Sequence, residues 1–338
     1  MSDKKRFSKT LITLAIILFV LILFSICLDK YDVGFFESFS ILFKSIFRMK
    51  QTSSDSNVNI VLNIRFPRII GAVLVGAALS VSGCVFQGIY RNPLVSPDLL
   101  GISSGAYVGI AIAILLSLSS FSTVMFAFIG GIIAIIITSL IPKIIKNRSN
   151  IMLILSGIVV GSLMSSILGF LKFINDSEGK LASITYWTMG SFSNASFNQI
   201  LPLLLILIPS IAILILLSWW IDVVSIGENE ATSLGANTRL IKTIVIVCAT
   251  FLTSGSVYFA GSIGWIGLII PHLSRRIVGT SNRKVIPVSA LIGAIFMLIV
   301  DTIIRSFGII EMPISIMTGI IGVPFFIWLI LKRKDSIL

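Results

Sequence analysis

Charge is scarce in this sequence. Asp, Glu, Lys and Arg together make up 12% of its 338 residues, whereas hydrophobic residues make up 56%. A water-soluble protein carries roughly twice that share of charge. The mean hydropathy is +1.06, and apolar runs long enough to cross a bilayer recur along the chain. We therefore predict an integral membrane protein that crosses the bilayer several times.

Metal-ligating side chains are also few. The one histidine, His272, has no His, Cys or carboxylate partner at ligand spacing. The three cysteines Cys27, Cys84 and Cys248 lie in apolar runs at unrelated spacings, which indicates neither a disulfide framework nor a metal site. We predict no metal site and interpret His272 as structural.

Nucleotide-binding and catalytic motifs are missing as well. The sequence has no G-x-x-x-x-G-K-[ST] phosphate loop, so it is not predicted to bind ATP by that motif. It has no nucleophile–base motif of the hydrolase kind, and it lacks the clustered His, Asp or Glu that an intramembrane enzyme would need at membrane depth. We predict that the chain is not an enzyme and that the energy for its work comes from a partner.

The apolar runs predict one all-α transmembrane domain over 1–338. Only helices and closed barrels satisfy backbone polar groups in lipid, and the sequence shows no barrel-type alternation. We predict ten helical spans, at 9–28, 66–90, 101–118, 121–142, 151–174, 199–221, 239–260, 264–278, 285–307 and 313–331.

Lys and Arg exceed Asp and Glu by 26 to 14, mostly in short segments beside the apolar runs, as expected for orientation signals rather than a nucleic-acid surface. With ten spans, both termini and most of the basic clusters lie on the cytoplasmic side of a bacterial cell membrane. Segment 29–64 then lies outside, where FFESFSILFKSIF (35–47) is typical of an amphipathic helix on the membrane surface. Segment 221–237, IDVVSIGENEATSLGAN, lies inside.

The cytoplasmic segment 221–237 predicts a short capped helix. Glu228 and Glu230 fall in its first turn, where carboxylates favour the positive helix end. Ala231 and Leu234 form a small apolar face, and Gly235 suits a left-handed stop. So short a helix is marginal alone. We therefore expect it to pack against something, although an ordinary capped loop is the alternative.

Four blocks of this sequence resemble the FecCD-type permeases of ABC importers for iron–siderophores, haem and vitamin B12. They are RFPRIIGAVLVGAALSVSGCVFQGIYRNPLVSPDLLGISSGA (65–106), YWTMGSF (186–192), the region from IGENEATSLGAN to GSIGWIGLIIPHLSRRIVG (226–279), and EMPISIMTGIIGVPFFIWLI (311–330). They follow one another in that family's order and at its distances, and they cover most of the chain beyond residue 60.

The resemblance implies the fold of a vitamin B12 importer permease (BtuC-like), with about ten helices. It also implies partners: two cytoplasmic ATPase subunits that hold ATP and Mg, an extracellular or periplasmic substrate-binding protein, and a second permease that is either the same chain or a sister chain. No cofactor is expected on this chain. The implied cargo is an iron–siderophore, with haem or cobalamin open. A secondary transporter driven by an ion gradient is the alternative, for which Asp301 is the one candidate intramembrane acid.

The resemblance also implies residue roles at both ends of the membrane. Glu228, Ala231, Leu234 and Gly235 match the spacing of the element that couples such permeases to the ATPase, although an arginine common near Thr232 is absent. Three arginines at outer helix ends, where positive charge is unusual, are expected to dock carboxylates of the binding protein. They are Arg65, Arg68 and Arg305, and for Arg305 local pairing with Asp301 is the alternative.

Small residues mark a candidate translocation pathway along the fifth and tenth helices, with close helix packing as the alternative. These residues are Gly157, Gly161, Ser165, Gly169, Gly319 and Gly322. Prolines and neighbouring polar residues mark a candidate inner gate that also has a structural role. Its residues are Asn92, Pro93 and Pro97 in one block and Pro271, His272 and Arg275 in the other.

Overall fold

The computed structural model describes residues 2–29, 33–147, 149–174, 178–307 and 312–334. Apart from turns and loops, these residues form helices, so the predicted all-α membrane class is confirmed. The α-helices are α1 (Ser2–Cys27), α2 (Phe35–Ile46), α3 (Asp55–Asn59), α4 (Phe66–Ile89), α5 (Ile102–Leu115), α6 (Ser120–Ile144), α7 (Asn150–Ile174), α8 (Glu178–Thr188), α9 (Phe197–Leu216), α10 (Ser218–Ile226), α11 (Glu228–Ser233), α12 (Thr238–Ala260), α13 (Ile266–Val278), α14 (Asn282–Phe307) and α15 (Ile314–Lys334).

Within the described ranges, seven helices are long and apolar enough to cross a membrane, and they include α1, α6, α7, α9, α12 and α14. The remaining one is a continuous helical segment, Asp55–Ile89, that contains α3 and α4. Helix α5 and the part of α15 over Ile314–Trp328 are apolar but shorter, and α13 has 13 residues. The count of ten spans therefore stays a prediction.

A π-helix, Ile60–Arg65, joins α3 to α4. Pro67 near the start of α4 has no amide hydrogen, and the Phe66 amide bonds to the carbonyl of Val61, five residues back. The wider π-helical turn accommodates Pro67 without a break in the helix. It places Arg65 at the end of the π-helix, so that Arg65 and Arg68 enter the protein from one continuous segment.

Helix α4 is the centre of the fold. It packs against α14, α12, α13 and α9. Glycine pairs permit the closest approaches: a Cβ on Gly76 would collide with the backbone of Gly293 in α14, and a Cβ on Gly83 would collide with the backbone of Gly267 in α13. The core is thus built on backbone contact between helices, as is common in membrane proteins.

The predicted surface helix at 35–47 is helix α2. Ser38, Ile41 and Leu42 are buried on one side, whereas Phe36 is 87% exposed. An aromatic, apolar outer face on a short helix is typical of a segment that lies at a membrane interface.

Candidate functional site

A buried charge cluster joins the ends of three helices, which the predicted orientation places outside. Arg65 Nε lies 3.2 Å from Asp29 Oδ2, and Arg305 Nη1 lies 3.4 Å from the same oxygen. Arg68 Nε lies 2.8 Å from Asp301 Oδ1, and Arg305 Nε lies 3.6 Å from Asp301 Oδ2. No side chain of the five is more than 7% exposed. We call these five residues the outer arginine cluster.

Hydrogen bonds to neighbouring helices complete the cluster. Arg65 Nη1 donates to the carbonyl of Ile26, at 2.9 Å, and to Ser38 Oγ, at 3.2 Å. Arg305 Nη2 donates to the carbonyl and hydroxyl oxygens of Ser25. The end of α1 is therefore tied to α2, to α14 and to the π-helix before α4. Such bonds are needed because a buried guanidinium without them is costly.

These positions bear on the expected docking arginines. Arg65, Arg68 and Arg305 turn inward onto carboxylates of their own chain, and the Arg305–Asp301 pair is the local pairing that the sequence left as the alternative. A docking role stays a prediction, and it requires the cluster to open. Asp29 was missed in the sequence because it lies at the end of the first span, 36 positions before Arg65.

At the opposite end of the bundle, α10 and α11 form the candidate coupling element. Gly227, in an extended conformation, separates the two helices. Glu230 is the third residue of α11, and its carboxylate lies beside Gly227 at the positive helix end. Gly235 has φ +82°, which confirms the predicted left-handed stop. Helix α11 begins at Glu228, whose side chain lies outside the described residues.

The two residues of the predicted apolar face of α11 differ in exposure. Ala231 is fully buried in the protein's own core, whereas Leu234, which follows the last residue of α11, is 61% exposed. The exposed apolar neighbour of Leu234 in sequence is Ile226, at 64%, at the end of α10. We call Ile226 and Leu234 the exposed coupling pair.

Asp222 ties α10 to the first turn of α14. Its Oδ1 accepts hydrogen bonds from the amide and the side-chain Nδ2 of Asn282, both at 2.7 Å, and its Oδ2 accepts one from Ser281 Oγ at 2.8 Å. Nearby, Arg91 Nη2 donates to the carbonyl of Val224 at 3.2 Å. These contacts join α10 to the start of α14 and to the end of α4. The sequence placed Asp222 in the coupling segment but gave it no role.

The candidate gate residues of the 91–101 loop lie between α4 and α5. Asn92 Oδ1 accepts a hydrogen bond from the amide of Leu94 at 2.9 Å, which forms a tight turn. Pro93 is exposed, whereas Pro97 is buried. A Cβ on Gly267 would lie 3.3 Å from the Pro97 ring. The loop therefore packs against α13, the helix that carries the other gate residues.

A glutamine that the sequence did not single out joins these elements. Pro271 lies inside α13, so the carbonyl of Gly267, four residues earlier, loses its helical partner. Gln87 Nε2 donates to that carbonyl at 3.2 Å, and Gln87 Oε1 accepts from Arg275 Nη1. Gln87 is 3% exposed. The signal for it in the sequence was an amide side chain near the end of an apolar span. His272, half-buried on the same helix, stays interpreted as structural.

The stripe of small residues on α7 is divided. A Cβ on Gly157 would collide with the backbone of Leu99, and one on Gly161 would lie 3.8 Å from Gly101, so this half packs against the chain's own 91–101 loop. Ser165 and Gly169 are exposed, with no atom within 4 Å of a Cβ added to Gly169. Close helix packing therefore describes Gly157 and Gly161. Only Ser165 and Gly169, in the second half of the stripe, offer a free surface.

Helix α15 is divided in the same way. A Cβ on Gly322 would lie 2.6 Å from the Cβ of Trp265, which precedes α13, whereas a Cβ on Gly319 meets no atom within 4 Å. Gly322 is thus a packing residue. Gly319 and the outer half of α7 are the parts of the predicted pathway that this chain leaves open.

The chain matches the FecCD transport family over residues 17–332. It is 36% identical over 332 residues to the Haemophilus influenzae molybdate import system permease protein MolB, covering 97% of each chain. It is 38% identical over 275 residues to a Helicobacter pylori protein named as a probable iron chelatin transport system permease, covering 81% of this chain and 83% of the relative.

A solved structure has the same fold. It is a chain of an ABC transporter assigned to the metal-chelate type, in an inward-facing conformation, with a TM-score of 0.82 and 34% sequence identity. The similarity covers 96% of the present chain and 99% of that chain.

Proposed function

This chain belongs to the FecCD transport family and is a permease subunit of an ABC importer, and from that premise we propose that it carries an iron–siderophore into the cytoplasm. The observation that carries the proposal is the match over 81% of this chain to a relative named as a probable iron chelatin permease, together with the match over 96% of it to a solved transporter of the metal-chelate type. Haem and cobalamin stay alternative cargoes, because the family resemblance includes permeases for both.

The open part of the predicted pathway supports a bulky cargo that is passed on rather than held. Ser165, Gly169 and Gly319 carry small side chains or none, and none of them is charged. Such a surface offers little binding energy, so selectivity would reside mainly in the substrate-binding protein.

The exposed coupling pair, Ile226 and Leu234, supports contact with a partner at the predicted cytoplasmic end. Large apolar side chains exposed on a short helix favour a protein interface. We propose that this partner is the ATPase, which holds ATP and Mg. A second permease, either this chain or a sister chain, would complete the importer, and a substrate-binding protein would deliver cargo from outside.

An ion-gradient transporter gains no support from Asp301. That carboxylate is fully buried and lies between Arg68 and Arg305, so it lacks the access to water that a proton or sodium relay needs.

Reconstitution with the ATPase and binding protein tests the cargo. We expect uptake of an iron–siderophore into liposomes that requires ATP and stops when the ATPase cannot hydrolyse it. Haem, cobalamin and molybdate are compared at equal concentration. Uptake of molybdate with none of the iron chelate would contradict the iron–siderophore assignment while leaving the importer itself intact.

Replacing Gly169 by tryptophan tests the pathway. The residue is exposed with open space around it, so the fold should accept the large ring. We expect uptake to fall at least about tenfold, a barrier increase of about 1.4 kcal/mol, while size-exclusion chromatography shows an intact importer. Gly34→Trp is the matched control, because Gly34 also has no atom within 4 Å of an added Cβ. Normal uptake by the Gly169 variant would remove this residue from the pathway.

Removing the Asp222 carboxylate tests transmission from the coupling element. Asp222→Ala deletes three hydrogen bonds, each worth about 1.5–3 kcal/mol when one partner is charged. We expect the number of cargo molecules moved per ATP hydrolysed to fall several-fold while the ATPase stays bound. Asp222→Asn, which keeps one of the two acceptor oxygens, should give a ratio between those of the wild type and Asp222→Ala. An unchanged ratio for Asp222→Ala would refute transmission through this contact.

A further inference from the structure

A groove opens between the first turns of α1 and the ends of α13 and α14 that face it. It has a volume of about 650 Å³ where Lys5, Arg6 and Lys9 of α1 face Ile277 of α13. A smaller adjoining part of about 350 Å³ is lined by Arg6 together with Arg276 and Lys284. Because Arg6, Thr10 and Ile277 line both parts, they form one continuous recess, which we call the basic groove.

The lining is basic at one side and apolar or hydroxyl-bearing at the other. Besides the five basic residues, the groove is lined by Phe7, Thr10, Thr13, Leu14, Ile277, Val278 and Gly279. No carboxylate is among the described residues of the lining. A ligand that fits this surface has a negatively charged group joined to an apolar body.

One of the cations is already held in place. The guanidinium carbon of Arg276 lies 5.2 Å from the ring centre of Trp328 in α15. A cation–π contact of this kind restricts the side chain while leaving its N–H groups able to donate. Arg276 is exposed despite this contact, so it can meet a ligand without first being ordered.

The groove lies at one end of the candidate α1 span, where lipid headgroups are expected. The apolar span of α1 runs over Lys4–Cys27, so Lys5, Arg6 and Lys9 occupy its first turns, where long basic side chains reach the interface. The groove is at the same end of the bundle as the Asp222–Asn282 contact, because Lys284 is two residues from Asn282. By the predicted orientation this is the cytoplasmic leaflet, which carries anionic lipid.

We propose that the basic groove binds an anionic phospholipid. Its phosphate would meet Lys5, Arg6, Lys9 and Arg276, and an acyl chain would run along Leu14 and Ile277. Only 11% of the α1 spanning window is buried inside the protein, so a lipid that bridges α1 to α13 would hold the helix that this chain itself packs most loosely. The proposal does not depend on which cargo is carried.

Native mass spectrometry of the purified importer, titrated with phosphatidylglycerol, cardiolipin or phosphatidylcholine, tests this site. The test variant is Lys5→Gln/Lys9→Gln. The matched control is Lys143→Gln/Lys146→Gln, which removes two exposed lysines at the end of α6, away from the groove. We expect the wild type and the control to retain an anionic lipid equally. The test variant should bind it at least about tenfold more weakly, since each basic residue near anionic lipid contributes a few-fold in affinity.

Four results would overturn the proposal. The first is equal retention of the anionic lipid by the test variant and the wild type. The second is an equal loss of lipid in the test and control variants, which would indicate general electrostatic attraction rather than a specific site. The third is displacement of the lipid by millimolar inorganic phosphate, which would identify the ligand as free phosphate. Retention of phosphatidylcholine at the same affinity would contradict recognition by charge.

Discussion

Replacing Asp301 by alanine is expected to destabilise the permease by about 3–5 kcal/mol, because it removes the carboxylate of a buried ion pair. Arg68 loses its 2.8 Å contact and Arg305 loses one of its two carboxylates. The midpoint of thermal unfolding in detergent should fall sharply, and yield from the membrane should fall with it. Asp55→Ala is the control, since Asp55 is an exposed carboxylate at the start of α3.

A double variant separates charge from packing. Arg68→Met combined with Asp301→Leu removes one complete ion pair, so it should be more stable than Asp301→Ala, as buried pairs replaced by apolar residues often are. If Asp301→Ala unfolds at the same temperature as the wild type, the cluster contributes no net stability. The cluster also limits which variants can test docking. A charge reversal at Arg68 would place two carboxylates in contact inside the protein, so it would report on folding rather than on the binding protein.

Replacing Leu234 by aspartate is expected to abolish coupled transport without unfolding the permease. Leu234 is 61% exposed, so the fold loses little. Burial of a leucine at an interface is worth about 1.5–3 kcal/mol, which corresponds to a loss of about tenfold to a hundredfold in affinity for the ATPase. Co-purification of the ATPase and ATP-dependent uptake measure the effect.

Leu116→Asp is the matched control for that variant. Leu116 has the same side chain and is 60% exposed, but it follows α5 at the opposite end of the membrane by the predicted topology. It should leave ATPase association unchanged. Full association and normal uptake by Leu234→Asp would show that the exposed coupling pair does not contact the ATPase.

The amino-acid sequence by itself determined the membrane class, the helical nature of the spans and the family. Apolar runs, prolines and glycines act over a few neighbouring residues, so their consequences can be predicted locally. This is why the left-handed turn at Gly235 and the helix at 35–47 were predicted at the positions where they occur.

Tertiary structure alone decided which side chains meet. Asp29, Arg65 and Arg305 are brought together from positions up to 276 residues apart, and no local pattern encodes that meeting. For the same reason Gly157 turned out to pack on the chain's own loop while Gly169 stayed open. Burial depends on the neighbouring helices, and the spacing of residues along one helix does not fix which neighbour each face receives.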